Sequence, residues 1–337
     1  MLVGFGVLLL LVPIRYVLWA PAPPIDVYAS QEQPSIVVEG TITYPVTGRL
    51  LVTSVSVTPA DGTVSLFDAV TTFLMDDRGV FPREVSYPLG APMEQVRQEG
   101  QAVMSATRRA AVVAALRSAG FSVQQAPMVT HVVVSGPSYG RLLADDIIIA
   151  VEGRPVSTAA EVNVLVGTQQ AGNVVSLLVQ RGDVELHIGV PVVVPAGQNQ
   201  ARIGITMEDT YRYQPIIVSF LLDTPGVTSA AGLVLAVGLY DYFSPDDLIA
   251  GRTVAGTGII DVTGAVTAAS GVSEKLRAAA DAGAELFLLP AANCQDIAGG
   301  TPSGMTIIKV TTLDDAVASL RALRDDPAAV VPTCEET

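Results

Sequence analysis

Hydrophobic and polar positions along this chain change period several times, and the changes divide it. Residues 2–14 form an apolar run with no charge, and Arg15 is the only charge before Tyr16-Val17-Leu18-Trp19-Ala20. A stretch of that length predicts a membrane-spanning helix, provided Arg15 reaches an interface beside Trp19. Ala20-Pro21-Ala22 has the small-x-small spacing of a cleaved signal peptide, the competing reading, but no basic residues precede the run, which points to a true N-terminus upstream. Pro21-Ala22-Pro23-Pro24 then reads as a linker, so residues 1–24 are expected to be anchor and linker.

Beyond the linker the period shortens to two. Residues 36–43 and 50–57 read as strands, the second clearly alternating. A helical period follows over residues 93–118, with Gly120 as its stop. Residues 129–134 read as a strand ending at Gly136-Pro137, Asp146 precedes an apolar strand, Glu152-Gly153 marks a tight turn, and Ser157 is placed to cap a helix reaching about residue 166. Strands 174–180 and 184–190 flank Arg181-Gly182-Asp183, and residues 213–220 read as a further strand.

Length and composition narrow the possibilities. With 337 residues, half of them hydrophobic, the chain can form two domains and a short extra segment. A formal charge of -14 leaves no basic surplus for nucleic acid. No Gly-x4-Gly-Lys-[Ser/Thr] phosphate loop occurs, so ATP is not expected. His131 and His187 each sit inside an apolar strand without metal-ligand or triad partners nearby, and Asp76-Asp77, Asp145-Asp146 and Asp246-Asp247 read as turns and caps. No cofactor or metal is expected.

The cations are more informative. Only Lys275 and Lys309 are lysines, against seventeen arginines. Where arginine supplies nearly all the positive charge, a retained amine is a candidate general base, because it can lose its proton and a guanidinium cannot. Lys275 lies in Ser270-Gly271-Val272-Ser273-Glu274-Lys275-Leu276-Arg277-Ala278-Ala279; Lys309 lies in an apolar strand and reads as structural. A surface lysine on a helix is the plainer alternative for Lys275.

Residues 226–294 resemble the proteolytic domain of Lon-type proteases in three stretches. Thr228-Ser229-Ala230-Ala231-Gly232-Leu233 falls where that family has Gly-Pro-Ser-Ala-Gly, Ala255-Gly256-Thr257-Gly258-Ile259-Ile260 resembles its Thr-Gly-Glu-Ile turn, and residues 271–279 resemble its lysine helix. The resemblance implies a Ser-Lys dyad with Lys275 as base and Thr257 orienting it. Ala230 occupies the nucleophile's position, and the nearest hydroxyl is Ser229, where the motif has proline. One step along a helix turns a side chain by about 100° and moves it about 1.5 Å, so Ser229 does not inherit the geometry. Thr267-Ala268-Ala269-Ser270-Gly271 also departs from the family's Gly-Pro-Ile-Gly-Gly.

Residues 132–156 resemble a PDZ domain of the protease-associated type. Such a domain binds an extended peptide, including exposed C-termini, by strand addition, and Gly120-Phe121-Ser122-Val123 is the candidate carboxylate loop, with an ordinary helix stop as the alternative. Anchor, PDZ unit and Lon-type unit together resemble the bacterial membrane-anchored PDZ-Lon proteins. The expected fold is therefore α+β: a Lon-type proteolytic domain over residues 34–118 and 198–325, interrupted by a PDZ domain at 119–197, with a tail at 326–337. The resemblance implies a serine endopeptidase acting on proteins or peptides at the cell membrane, its bulk outside the cytoplasm, and leaves oligomerisation open. With Ala230 in place of serine, the competing expectation is a non-catalytic peptide-binding scaffold. Cys294 and Cys334 are the only cysteines and read either as a bridge or as two thiols.

Overall fold

The computed structural model describes residues 13–28, 35–75, 78–88, 90, 92–182, 184–213, 215–221, 228–297 and 300–334. Two compact units emerge: Met1–Phe121 with Pro215–Thr337, and, inserted in sequence, Ser122–Gln214. The insertion therefore ends at 214, not at the expected 197. Asp76-Asp77 lies outside the described residues.

The first unit begins with β1 (Pro13–Ile14), β2 (Tyr16–Pro21), β3 (Ile25–Asp26), β4 (Ile36–Glu39), β5 (Arg49–Val52), β6 (Val55–Val57), β7 (Val64–Ser65), α1 (Leu66–Phe73), β8 (Gly79–Pro82) and α2 (Met93–Ser118). β2 pairs antiparallel with β6 and β8. Residues 16–21 are thus strand, which corrects the expectation of a membrane helix running to residue 20. Val17 and Trp19, two residues apart, share one face of the sheet, with Val17 buried and Trp19 packed against Phe81 at 4.6 Å. Residues 1–12 lie outside the described residues, and among the described residues no helix is long and apolar enough to cross a membrane.

The strand expected over 50–57 breaks in two. Buried Thr53 donates its hydroxyl to the Gly256 carbonyl at 2.8 Å, and the chain passes there from one sheet to another. The strand expected over 36–43 stops at Glu39. Helix α2 covers the expected residues and closes at Gly120, whose φ of +83° suits a residue without Cβ.

The inserted unit holds β9 (Gln124–Val132), β10 (Ile147–Val151), β11 (Arg154–Pro155), α3 (Ala159–Gly167), β12 (Val174–Arg181), β13 (Val184–Pro191) and β14 (Ile205–Arg212). Its sheet runs β13-β12-β10-β9-β14, with β11 paired to β10. Val129, Leu142, Ile148, Val162, Leu177 and Val179 form its core. Asp146 is buried and forms a two-pronged ion pair with Arg181, both contacts at 2.8 Å. The cap of α3 is Thr158, not Ser157; its side chain accepts from the Glu161 amide at 3.2 Å, while the Glu161 carboxylate reaches back to the Ser157 amide.

The first unit resumes with β15 (Ile217–Phe220), α4 (Gly232–Phe243), β16 (Thr253–Gly256), β17 (Ile259–Ile260), β18 (Val266–Thr267), α5 (Val272–Asp281), β19 (Leu286–Pro290), β20 (Thr306–Val310) and α6 (Leu313–Asp325). Strands β20, β19, β16 and β5 lie parallel in that order, and β3 closes the sheet antiparallel to β5. β19 is buried along its whole length, as a central parallel strand covered on both faces must be. Helix α4, apolar on nearly every side, is likewise buried and packs against α2, α6 and β5. Cys294 and Cys334 are bridged, which decides between the two readings of that pair.

Candidate active site

The start of α4 is laced to the turn that follows β16. Residues 229–231 form a 3₁₀ turn capped by Thr228, whose hydroxyl accepts from the Ala230 amide at 3.4 Å. The Ala230 carbonyl then accepts the Gly258 amide at 2.8 Å and the Thr257 hydroxyl at 3.4 Å. In return, Leu233 donates its amide to the Gly258 carbonyl at 3.0 Å, and Thr257 donates its own to Leu288 on β19 at 3.1 Å. Ala230 and Thr257 are both buried.

Lys275 enters this junction from α5. The helix starts at Gly271, whose φ is +69° and where a Cβ would stand 2.7 Å from a Val55 methyl, so the chain's close approach requires glycine. Val272, Leu276 and Ala279 bury the same face against Leu51, Ala255 and Phe287. That packing turns Lys275 inward, only 3% exposed, and its Nζ donates to the Thr257 hydroxyl at 3.1 Å. Burial lowers the amine's pKa from 10.5 to about 8, against an opposing pull from the adjacent buried Glu274. A substantial neutral fraction near pH 8 is what a lysine base requires.

Asn293 braces the approach to that helix. Its side-chain oxygen accepts the Ala269 amide at 2.9 Å, and its nitrogen donates to the Ala269 carbonyl at 2.8 Å and to Asp296 at 2.6 Å. The segment that departs from Gly-Pro-Ile-Gly-Gly is thus held like a strand partner. The neighbouring residue, Cys294, is tied to Cys334, which packs on the same cluster as Val272 and Leu276.

The structure therefore links Lys275 through the Thr257 hydroxyl to the Ala230 carbonyl. Ser229 is half-buried, its carbonyl accepts the Gly232 amide, and among the described residues its side chain makes no hydrogen bond to Lys275. At position 230 the side chain is a methyl group, which has no proton to give.

Of the two readings of Gly120, Phe121, Ser122 and Val123, carboxylate loop or helix stop, the first two residues follow the helix stop. Gly120 and Phe121 spend their amides on Arg117 and Leu116, at 3.0 and 2.8 Å, closing α2. The Phe121 ring packs edge-on to Phe243 at 5.3 Å. The inserted unit instead has a cavity of about 200 Å³ between α3 and the start of β14, lined by Val162, Asn163, Val166 and by Arg202-Ile203-Gly204-Ile205. The Ile203 carbonyl accepts the Ser138 hydroxyl at 2.6 Å, and Arg202 pairs with Val193, so the loop is held in place. β14 is an edge strand of this sheet. Its signal, a small residue between apolar ones before an alternating strand, was present in the sequence.

Comparison with known families gives two matches. Residues 90–192 match the PDZ domain family, and residues 223–322 match the Lon protease (S16) C-terminal proteolytic domain. Among solved structures, the PDZ domain of the SdrC-like protein from Listeria monocytogenes is 21% identical, covering 24% of this chain and 85% of that one, with a TM-score of 0.23. The corresponding domain from Listeria innocua is 19% identical over 24% of this chain and 92% of its own, also at 0.23. A solution structure from Geobacillus thermodenitrificans is 28% identical over 23% and 92%, at 0.22. No curated protein matches the chain.

Proposed function

This chain joins a PDZ domain to a Lon-type (S16) proteolytic domain, and we propose that it is a membrane-anchored, ATP-independent relative of the Lon-like serine peptidases that keeps the base half of a Ser-Lys dyad and lacks the nucleophile. The observation that carries this reading is the buried Lys275 amine, lowered to about 8 and 3.1 Å from Thr257 beside Ala230. With serine at 230, the neutral amine would take the hydroxyl proton as the oxygen attacked a peptide carbonyl, then return it to the leaving amine. With alanine no acyl intermediate forms, and the chain as it stands turns over no peptide bond.

A second reading, a peptide-binding scaffold, is favoured by the groove between α3 and β14. An extended peptide can add to the β14 edge and place its terminal side chain among Val162, Val166 and Ile203. Both readings share a location outside the cytoplasm. The Cys294–Cys334 bridge supports an oxidising compartment, and the uncharged residues 1–12 support an anchor.

The test is the Ala230→Ser variant. Peptidase turnover should rise by on the order of 10⁴-fold or more over the parent chain, and Lys275→Ala in that variant should abolish it. Activity of the parent chain equal to the variant's, and indifferent to Lys275, would contradict the proposal.

A further inference from the structure

We infer that the outward face of α1 rests in the headgroup boundary of a lipid bilayer. The inference deepens the membrane-anchored reading and rests on it. An ordinary surface helix turns its large apolar side chains to the core and its small or polar ones to water. α1 is reversed: Ala69 and Thr72 are buried, while Phe67, Val70, Phe73 and Leu74 are exposed, the last two by 78% and 76%. These four positions are spaced by three, six and seven residues, which puts them on one side of the helix, and exposed Met75 follows directly. A contiguous apolar patch of this kind marks a contact surface, because exposing it to water costs free energy that scattered apolar residues do not.

What covers it is argued from where the chain enters. β1 pairs with β7, Pro13 with Ser65 and Ile14 with Val64, and the residue after Ser65 opens α1. The twelve residues before β1 carry no charge and are apolar throughout except for two glycines. They therefore join the fold at the foot of the helix whose apolar side faces out. Exposed Arg15 follows β1 and supplies a cation at headgroup level, while the Ser65–Asp68 capping box keeps the first turn of α1 polar. The stripe itself is uncharged, so apolar insertion by about 5–10 Å drives the contact, without a requirement for anionic lipid.

The test uses the full chain with its disulfide intact, carrying Phe73→Cys and, separately, Val330→Cys as a control at a site 92% exposed. Each is labelled with an environment-sensitive fluorophore and mixed with phosphatidylcholine vesicles whose acyl chains are brominated. The expected result is that the chain floats with the vesicles, and that the label at 73, but not at 330, shifts to shorter wavelength and loses intensity. Flotation with an unchanged label at 73 overturns the inference and leaves the anchor standing. Failure to float removes the anchor and the inference together. Shielding of the label at 73 without vesicles, growing with protein concentration, overturns the inference in favour of a second copy of the chain.

Discussion

The two ends of α4 bury ionisable groups in opposite ways. At its C-terminal end Asp241 accepts the Tyr28 hydroxyl at 2.6 Å and the Leu248 amide at 2.7 Å, so a fully buried carboxylate is surrounded by donors. At its N-terminal end Lys275 has, among the described residues, one hydroxyl partner at 3.1 Å, and that hydroxyl also serves the Ala230 carbonyl. Burial raises Asp241 to about 6 and lowers Lys275 to about 8. A buried group with its hydrogen bonds satisfied holds a fold together. One with capacity to spare is available for chemistry, and under the proposed function the missing partner is the hydroxyl that residue 230 does not supply.

The largest effect should come from completing the underfilled end. Ala230→Ser turns a structural difference into a catalytic one, and the matching change at the filled end, Asp241→Asn, should add no activity. If both variants gave turnover, the distinction between the ends would be lost.

Next in size is removal of the saturated acceptor. Asp241→Ala strands the Tyr28 hydroxyl and the Leu248 amide, and chemical denaturation should show a loss on the order of 3 kcal/mol or more. Asp241→Asn should cost less and flatten the acid side of the stability curve. Because the folded pKa of about 6 exceeds the unfolded 3.8, this group's contribution is full below 3.8 and is lost as pH rises through 6. An unchanged slope between those values would contradict the assignment.

A comparable loss should follow reduction of Cys294–Cys334, which spans 40 residues; closing such a loop contributes about 3–4 kcal/mol in the chain-entropy view. The bridge adjoins Asn293, so hydrogen exchange should quicken at Ala269 and along α5 while the amide of Leu248 keeps its protection. Uniform loosening at both ends would show that the bridge does not act locally.

The smallest expected change is a gain. Lys275→Met removes an amine held below its unfolded pKa, and should stabilise the fold by about 1–3 kcal/mol at pH 7. The cost of the charged amine is fully present below 8 and vanishes above 10.5, so the gain should fade across that window.

Much of this site was legible in the sequence. The scarcity of lysine singles out Lys275, and the Lon-type resemblance of three short stretches implies that it lies near Thr257 and position 230. Local pattern likewise gave α2 and its stop, because helical period and a terminal glycine are encoded nearby. It failed where long-range pairing decides. Residues 16–21 are apolar enough for a membrane helix and become strand through β6 and β8, while residues 50–57 alternate without interruption and still divide at Thr53. For residues 120–123 the local sequence fits both a carboxylate loop and a helix stop, and the amides of Gly120 and Phe121 go to α2. The groove at 202–205 was overlooked because its walls come from segments some forty residues apart.

The central claim is that the base remains poised without its nucleophile, and the scarcity of lysine makes this directly measurable. Selective ¹³C labelling at lysine Cε gives signals from Lys275 and Lys309 alone. The account predicts one signal titrating near 8, absent in Lys275→Met. Two signals both titrating near 10.5, the ordinary lysine value, would contradict it.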